Sequence, residues 1–230
     1  MLIGRDTTKE DDMKKGLLVL TLLLALSMTV MFMPGCGGDD EGAKGGDDSD
    51  MPEAVKAIKD YTLNLAKDFA EQLDGDYGDQ VAALIKSGEG MDFAGYEDLQ
   101  QTLADLATTT DDPEGTYVSV IVPDIPGEEA PYVFLIDGYL EDPIDYGYSE
   151  PWEPYYDEAW NGRIAGSNYA YWSDDDELLW IACAPIHDSN GDVVAVLLVE
   201  FYADGLEEYT DWIWPENDND WKKPEVIYLD

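Results

Sequence analysis

Residues Leu178–Tyr202 read LLWIACAPIHDSNGDVVAVLLVEFY. Two apolar runs, Leu178–Ile186 and Val193–Tyr202, flank the polar turn Asp188-Ser189-Asn190-Gly191-Asp192. Asn-Gly is the pair that most readily takes positive φ in a tight hairpin. Neither run alternates apolar with polar, as a strand with one wet face would, so both strands are expected to be covered on both faces. An antiparallel sheet between other layers is therefore the frame. Pro185, near the end of the first run, removes only one ladder N–H.

Working outward, Tyr117–Val122 and Pro131–Ile136 read as two earlier strands and Tyr169–Trp172 as a third, giving five with the hairpin. Val226-Ile227-Tyr228 would be an edge strand. Upstream, Val55, Ile58, Thr62, Leu65, Phe69 and Leu73 recur at three- and four-residue steps, which predicts an amphipathic helix over Pro52–Leu73. Asp50 could cap it, and Pro52 suits its first turn. The Asp74-Gly75-Asp76 break precedes a second helical segment reaching Lys86, and Leu99, Leu103 and Leu106 mark a third over Tyr96–Ala107. A short helix is expected over Tyr155–Trp160 and a closing one over Leu206–Trp212.

The N-terminus reads as targeting. Lys14-Lys15 precede an apolar run from Gly16 to Met33 that ends in Met33-Pro34-Gly35-Cys36. These are the parts of a secretory signal. Gly35-Cys36 resembles a bacterial lipobox, in which Cys36 is the lipidated first residue of the mature chain. Met33 and Pro34 depart from the usual Leu and small residue. The competing reading is an uncleaved anchor, since the run is just long enough to span a membrane. The organisation expected is a signal at 1–35, a flexible Gly/Asp linker at 36–51, one domain at 52–212 and a polar tail at 213–230. Either reading places the domain outside the cytoplasm.

The chain has 52 acidic and 12 basic residues, a net charge of −40. Residues 1–35 hold four of each sign, so the whole excess falls on Cys36–Asp230. A surface this acidic repels nucleic acid and anionic lipid. With 45% hydrophobic residues the chain is not disordered by composition. If Cys36 is acylated, Cys183 has no intrachain disulfide partner and reads as a small buried hydrophobe.

Ala184–Val194, with Tyr132-Val133-Phe134-Leu135-Ile136-Asp137-Gly138 upstream and an acidic, aromatic connection running to Gly162, resembles the closing hairpin, earlier core strand and connection of Cache-type sensor domains. These are PAS-like extracytoplasmic modules of chemoreceptors and sensor kinases. The resemblance covers Pro52–Gly205. It implies an α+β domain in which a PAS-like five-stranded antiparallel sheet has a long N-terminal helix packed along it. It also implies a small-molecule ligand and, as no kinase or methyl-accepting region follows, signalling through a separate protein.

Twelve aromatic residues lie between Tyr132 and Trp172. They could be core, because aromatics bury large areas, or pocket lining, because binding residues collect on loops held by a rigid scaffold. Tyr132, Phe134 and Asp137 on the earlier strand join this candidate set. The amino-acid-binding subset of the family uses an Arg before a Trp-Tyr pair, then a Tyr and an Asp on the next strand. Trp152, Tyr155 and Tyr156 resemble the aromatic part, and Tyr171 with Asp174 the later pair. The Arg has no counterpart; Glu150 and Glu153 flank Trp152 instead. Arg163 is the single basic residue besides His187 from Ser87 to Trp221, so an anionic ligand would have to use it. Carboxylates beside aromatic faces suit an ammonium group, so the expected ligand is cationic or neutral: an amine, a betaine or a polyol.

Enzyme chemistry is not expected. One histidine, His187, excludes a multi-histidine zinc site. No Gly-rich phosphate loop is present. Asp174-Asp175-Asp176 and Asp218-Asn219-Asp220 do not fit an EF-hand and read as solvated turns. No cofactor and no metal is expected. The alternative to a sensor module is a surface or scaffolding lipoprotein with the same fold and no small-molecule ligand.

Overall fold

The computed structural model describes residues 51–124, 131–173, 177–214 and 226–229. The signal, Cys36 and the linker up to residue 50, with the proposed cap Asp50, lie outside them. So do Asp174, the 174–176 turn and the 218–220 triplet.

The chain opens with α1 (Glu53–Leu73), α2 (Asp76–Ser87) and α3 (Tyr96–Ala107). The α1 stripe is buried at Val55, Lys59, Thr62, Leu63, Ala66, Phe69, Ala70 and Leu73. That stripe is rotated slightly from the expected one, so Ile58 and Leu65 sit at its margin. Pro52 takes the cap position.

The strands are β1 (Thr116–Pro123), β2 (Tyr132–Asp137), β3 (Ser149–Glu150), β4 (Ala165–Ser167), β5 (Tyr171–Trp172), β6 (Leu178–His187), β7 (Val193–Tyr202) and β8 (Val226–Tyr228), with α4 (Pro154–Trp160) between β3 and β4. They form one antiparallel sheet in the order β3-β2-β1-β7-β6-β4-β8, with β5 also on β6. The expected helix along an antiparallel sheet is present: α1 lies across β6 and β7, and α3 packs on β1 and β2.

The strand count differs from five. β2, β1, β7, β6 and β4 make the central sheet, and three pieces of two or three residues extend it. The expected strand over Tyr169–Trp172 is shortened to Tyr171–Trp172. Its place beside β6 is taken largely by Ala165–Ser167. A turn separates the two: the Ser167 hydroxyl donates to the Tyr169 carbonyl (2.7 Å) and accepts from the Tyr169 N–H (3.1 Å). The expected closing helix is also absent. Residues 203–213 make successive i→i+3 turns ending in one 3-10 turn, Thr210–Trp212, because Gly205 takes φ 83°.

The hairpin is as expected. Nine of the ten residues of β6 are buried, in keeping with two covered faces. Helices α1–α3 cover one face over Ala182, Ala184, Ala195, Leu197 and Val199. Residues 138–164 with α4 cover the other over Cys183, Val196 and Leu198. The turn closes with a Gly191 N–H bond to the Asp188 carbonyl (3.0 Å), and Gly191 carries the positive φ, 85°. The Asp188 side chain accepts from the Asn190 and Asp192 N–H groups (2.9 and 3.0 Å).

The hairpin tip is then clamped to the α1–α2 junction. Asp74 Oδ1 accepts from the His187 N–H (2.9 Å) and lies 3.1 Å from His187 Nδ1. The His187 carbonyl accepts from Gly75 (2.9 Å), and Asp79 Oδ1 accepts from the Ser189 N–H (3.0 Å).

Candidate functional site

Strand register decides which side chains share the face under the connection. Tyr117 pairs with Glu200 and Glu200 with Ile181; Ser119 pairs with Leu198 and Leu198 with Cys183; Ile121 pairs with Val196. Cross-strand partners point to one face. The face thus carries an apolar floor at Ile121, Val196, Leu198 and Cys183, and a polar, aromatic end at Tyr117, Glu200 and Tyr202.

The floor is roofed by aromatics. Tyr132 (0% exposed), Phe134, Tyr155 and Tyr156 (1%) are buried in one cluster with Cys183 and Leu198. Tyr155 and Tyr156 meet edge to face at 4.9 Å, and Tyr132 and Tyr156 lie 5.1 Å apart. Pro154 starts α4 in its fixed φ, and the helix turns both tyrosines onto the sheet. Asp157 on the same helix accepts from the Tyr132 hydroxyl (2.9 Å) and the Trp152 indole (2.8 Å). Of the sequence candidates, these rings are brought together as packing, with Trp152 half-buried at their margin.

Asp137 is fully occupied within the chain. It accepts from the Ser119 hydroxyl (3.0 Å) and from the N–H groups of Tyr139 (3.2 Å) and Ile144 (2.7 Å). Its place is that of a loop clamp rather than a ligand contact. Arg163 is not brought to the face either. Its side chain is 59% exposed, paired with Glu158, and its guanidinium lies 5.0 Å over the Tyr228 ring. Tyr171 is brought in: its hydroxyl donates to Glu200.

Sequence reasoning passed over the carboxyls that matter most here. Glu200 is half-buried, and Glu153 and Glu150 lie on the segment facing it. Burial pushes the Glu200 carboxyl up to about 7; the Tyr171 hydroxyl opposes this, and Glu150 and Asp137 add to it. Burial, with Glu150 beside it, likewise pushes Glu153 up to about 7. Tyr155, Tyr156 and Tyr171 are held well above the usual phenol range by burial first and by these carboxyls second. Next to them, Glu177 accepts from the hydroxyls of Tyr117 (3.1 Å) and Tyr202, which lie 3.0 Å apart. The signal for Glu200 was available: it is the single charge in the apolar run Val193–Tyr202.

The half-buried Tyr117, Trp152, Glu153, Tyr171, Glu200 and Tyr202 therefore form an acidic, aromatic patch. It can accept hydrogen bonds from an ammonium or hydroxyl group and offer ring faces to a cation. It supplies no nucleophile: Cys183 is buried, and desolvation holds its thiol well above the usual range.

No family model matches the chain, and no curated protein matches it. Among solved structures, it is similar to the sensor domain of the V. cholerae histidine kinase DctB (11% identity, 67% of this chain and 54% of that one, TM-score 0.46). It is similar also to the ligand-binding domain of the Campylobacter jejuni chemoreceptor Tlp3 in complex with 4-methylisoleucine (10%, 89% and 66%, TM-score 0.44). A third is the periplasmic domain of RsbU from Chlamydia trachomatis (14%, 68% and 56%, TM-score 0.30). The chain thus spans about half to two thirds of the length of each. Identity at this level says nothing of ligand. Among the described residues, no helix is long and apolar enough to cross a membrane. With its antiparallel sheet, the long helix along it and the 178–202 hairpin, the chain is similar in architecture to Cache-type sensor domains.

Proposed function

We propose that this domain is an extracytoplasmic sensor module that binds a small cationic or neutral ligand on its acidic, aromatic face. The observation that carries the reading is Glu200. It is a carboxyl in the middle of a core strand, beside Glu150, Glu153 and three tyrosines, on a face to which no basic residue from 87 to 221 is brought. A carboxyl in such a setting is stabilised as the anion by a bound cation, and the general acidity of the chain concentrates cations. Ligand occupancy is passed on by a separate signalling protein.

Calorimetry of the full chain with matched primary amines and organic acids, at low and high salt, tests this. Amines should bind, more weakly at high salt, and Glu200→Gln should weaken them about tenfold or more, as for loss of a buried charged partner. Tight binding of a dicarboxylate that survives Arg163→Ala would overturn the reading.

The buried Tyr132, Phe134, Tyr155 and Tyr156 favour a second reading, in which the connection is simply packed onto the sheet and the domain is a surface or scaffolding module. Absence of heat with every amine and polyol would favour it. The proposed tether is an acyl chain on Cys36. Labelling of cells with an alkyne fatty acid should be lost in Cys36→Ser, and equal labelling of that variant would sink the tether.

A further inference from the structure

The segment joining β3 to α4 bears two carboxyls, Glu150 and Glu153, and faces a third, Glu200, on the sheet. Its attachment is slight. β3 is two residues long and lies at the sheet edge, pairing Ser149 with Val133 and Glu150 with Tyr132. Two prolines, Pro151 and Pro154, remove donors from the same stretch. α4 beyond it is fastened independently, by the buried Tyr155 and Tyr156 and by the Tyr132–Asp157 bond. Trp152 ties the segment to that helix through its indole bond to Asp157.

We propose that residues 149–153 form a proton-controlled lid: the lid closes while Glu153 and Glu200 hold protons and opens when they lose them. Like charges on two facing layers repel, most strongly where water is excluded.

The surroundings supply no counter-charge. Glu200 faces Tyr117 of β1, Asp137 of β2, Glu150 of β3, Tyr155 of α4, Tyr171 of β5 and Cys183 of β6. On its own strand, Tyr202 is engaged with Glu177. Glu153 faces Glu150, Tyr155 and Cys183. All of these are acidic or neutral. Closed, the two carboxyls keep their protons up to about pH 7; open, they return to the ordinary range, near 4.5. Opening therefore releases protons and becomes easier as pH rises from about 4.5 to about 7, then levels off. One coupled proton makes opening tenfold easier per pH unit in that window. The device goes beyond the ligand reading and requires no ligand.

Exchange of the Trp152 indole N–H in the full chain, followed by NMR from pH 5 to pH 8 and assigned by its loss in Trp152→Phe, tests the lid. After correction for intrinsic exchange, the rate should rise at least tenfold between pH 5 and 7 and then flatten. The double variant Glu153→Gln/Glu200→Gln should abolish the rise. No excess rise in the wild type would overturn the proposal, whatever the variants do. So would an equal rise in the double variant, or one shared by the β6 and β7 amides, which would mark global unfolding. Amine binding by calorimetry is unaffected by a flat exchange profile, so lid and ligand fail separately.

Discussion

Gly78→Ala should destabilise the domain by about 3–4 kcal/mol, the upper range for forcing an atom into a filled site. A Cβ built on Gly78 would sit 2.1 Å from the His187 carbonyl oxygen and 2.7 Å from its carbon. Both are backbone atoms at the end of β6, so no rotamer change relieves the clash. In the interior of α2 the same substitution would ordinarily gain about 1 kcal/mol of helix propensity. The clash must outweigh that gain, because α2 approaches the hairpin closely enough for Asp74, Gly75 and Asp79 to bond its tip. Denaturant melts of the two full-length proteins check this. A variant as stable as the parent would mean that α2 and the hairpin do not meet at this distance.

Tyr156→Ala should cost about 3–5 kcal/mol, as for other fully buried aromatics. Tyr156 is 1% exposed and packs on Tyr132 and Tyr155, and it fastens α4 to the sheet. This result separates a ring that is core from one that lines a pocket. Truncating a pocket ring would lower affinity and leave the melting midpoint nearly in place. An unchanged midpoint in chemical denaturation would therefore return Tyr156 to the candidate ligand contacts.

The hairpin and α1 were legible because their signals are repetitive: ten-residue apolar runs about an Asn-Gly turn, and a stripe recurring every three or four residues. β4 was not. Ala165-Gly166-Ser167 has no strand-forming side chain, and Gly166 is there because a Cβ would lie 2.6 Å from the Ile181 carbonyl oxygen. Its pairing to β6 and β8 makes it a strand, and that information lies in other parts of the chain. The candidate site was half legible for a similar reason. Aromatic residues could be counted along the connection, but which of them are roof and which are rim depends on the turn of α4. Asp137 looked like a ligand contact at the end of a core strand until the loop after it folded back onto its oxygens. Glu200, one acid among 52, was visible only as an interruption in an apolar run.

Cys183 gives this architecture a native reporter. It lies at the centre of the sheet, paired with Ala165 and Leu198, and is 0% exposed beneath the tyrosine roof. It is the free cysteine among the described residues. A thiol reagent reaches the sulfur only during excursions in which α4 leaves the sheet, so its modification rate counts those excursions and no others. A lid confined to residues 149–153 would leave that rate unchanged between pH 5 and 7, once corrected for thiolate fraction. Detachment of the whole connection would accelerate it in step with the Trp152 indole. One sulfur atom thereby measures how far up the segment the motion extends.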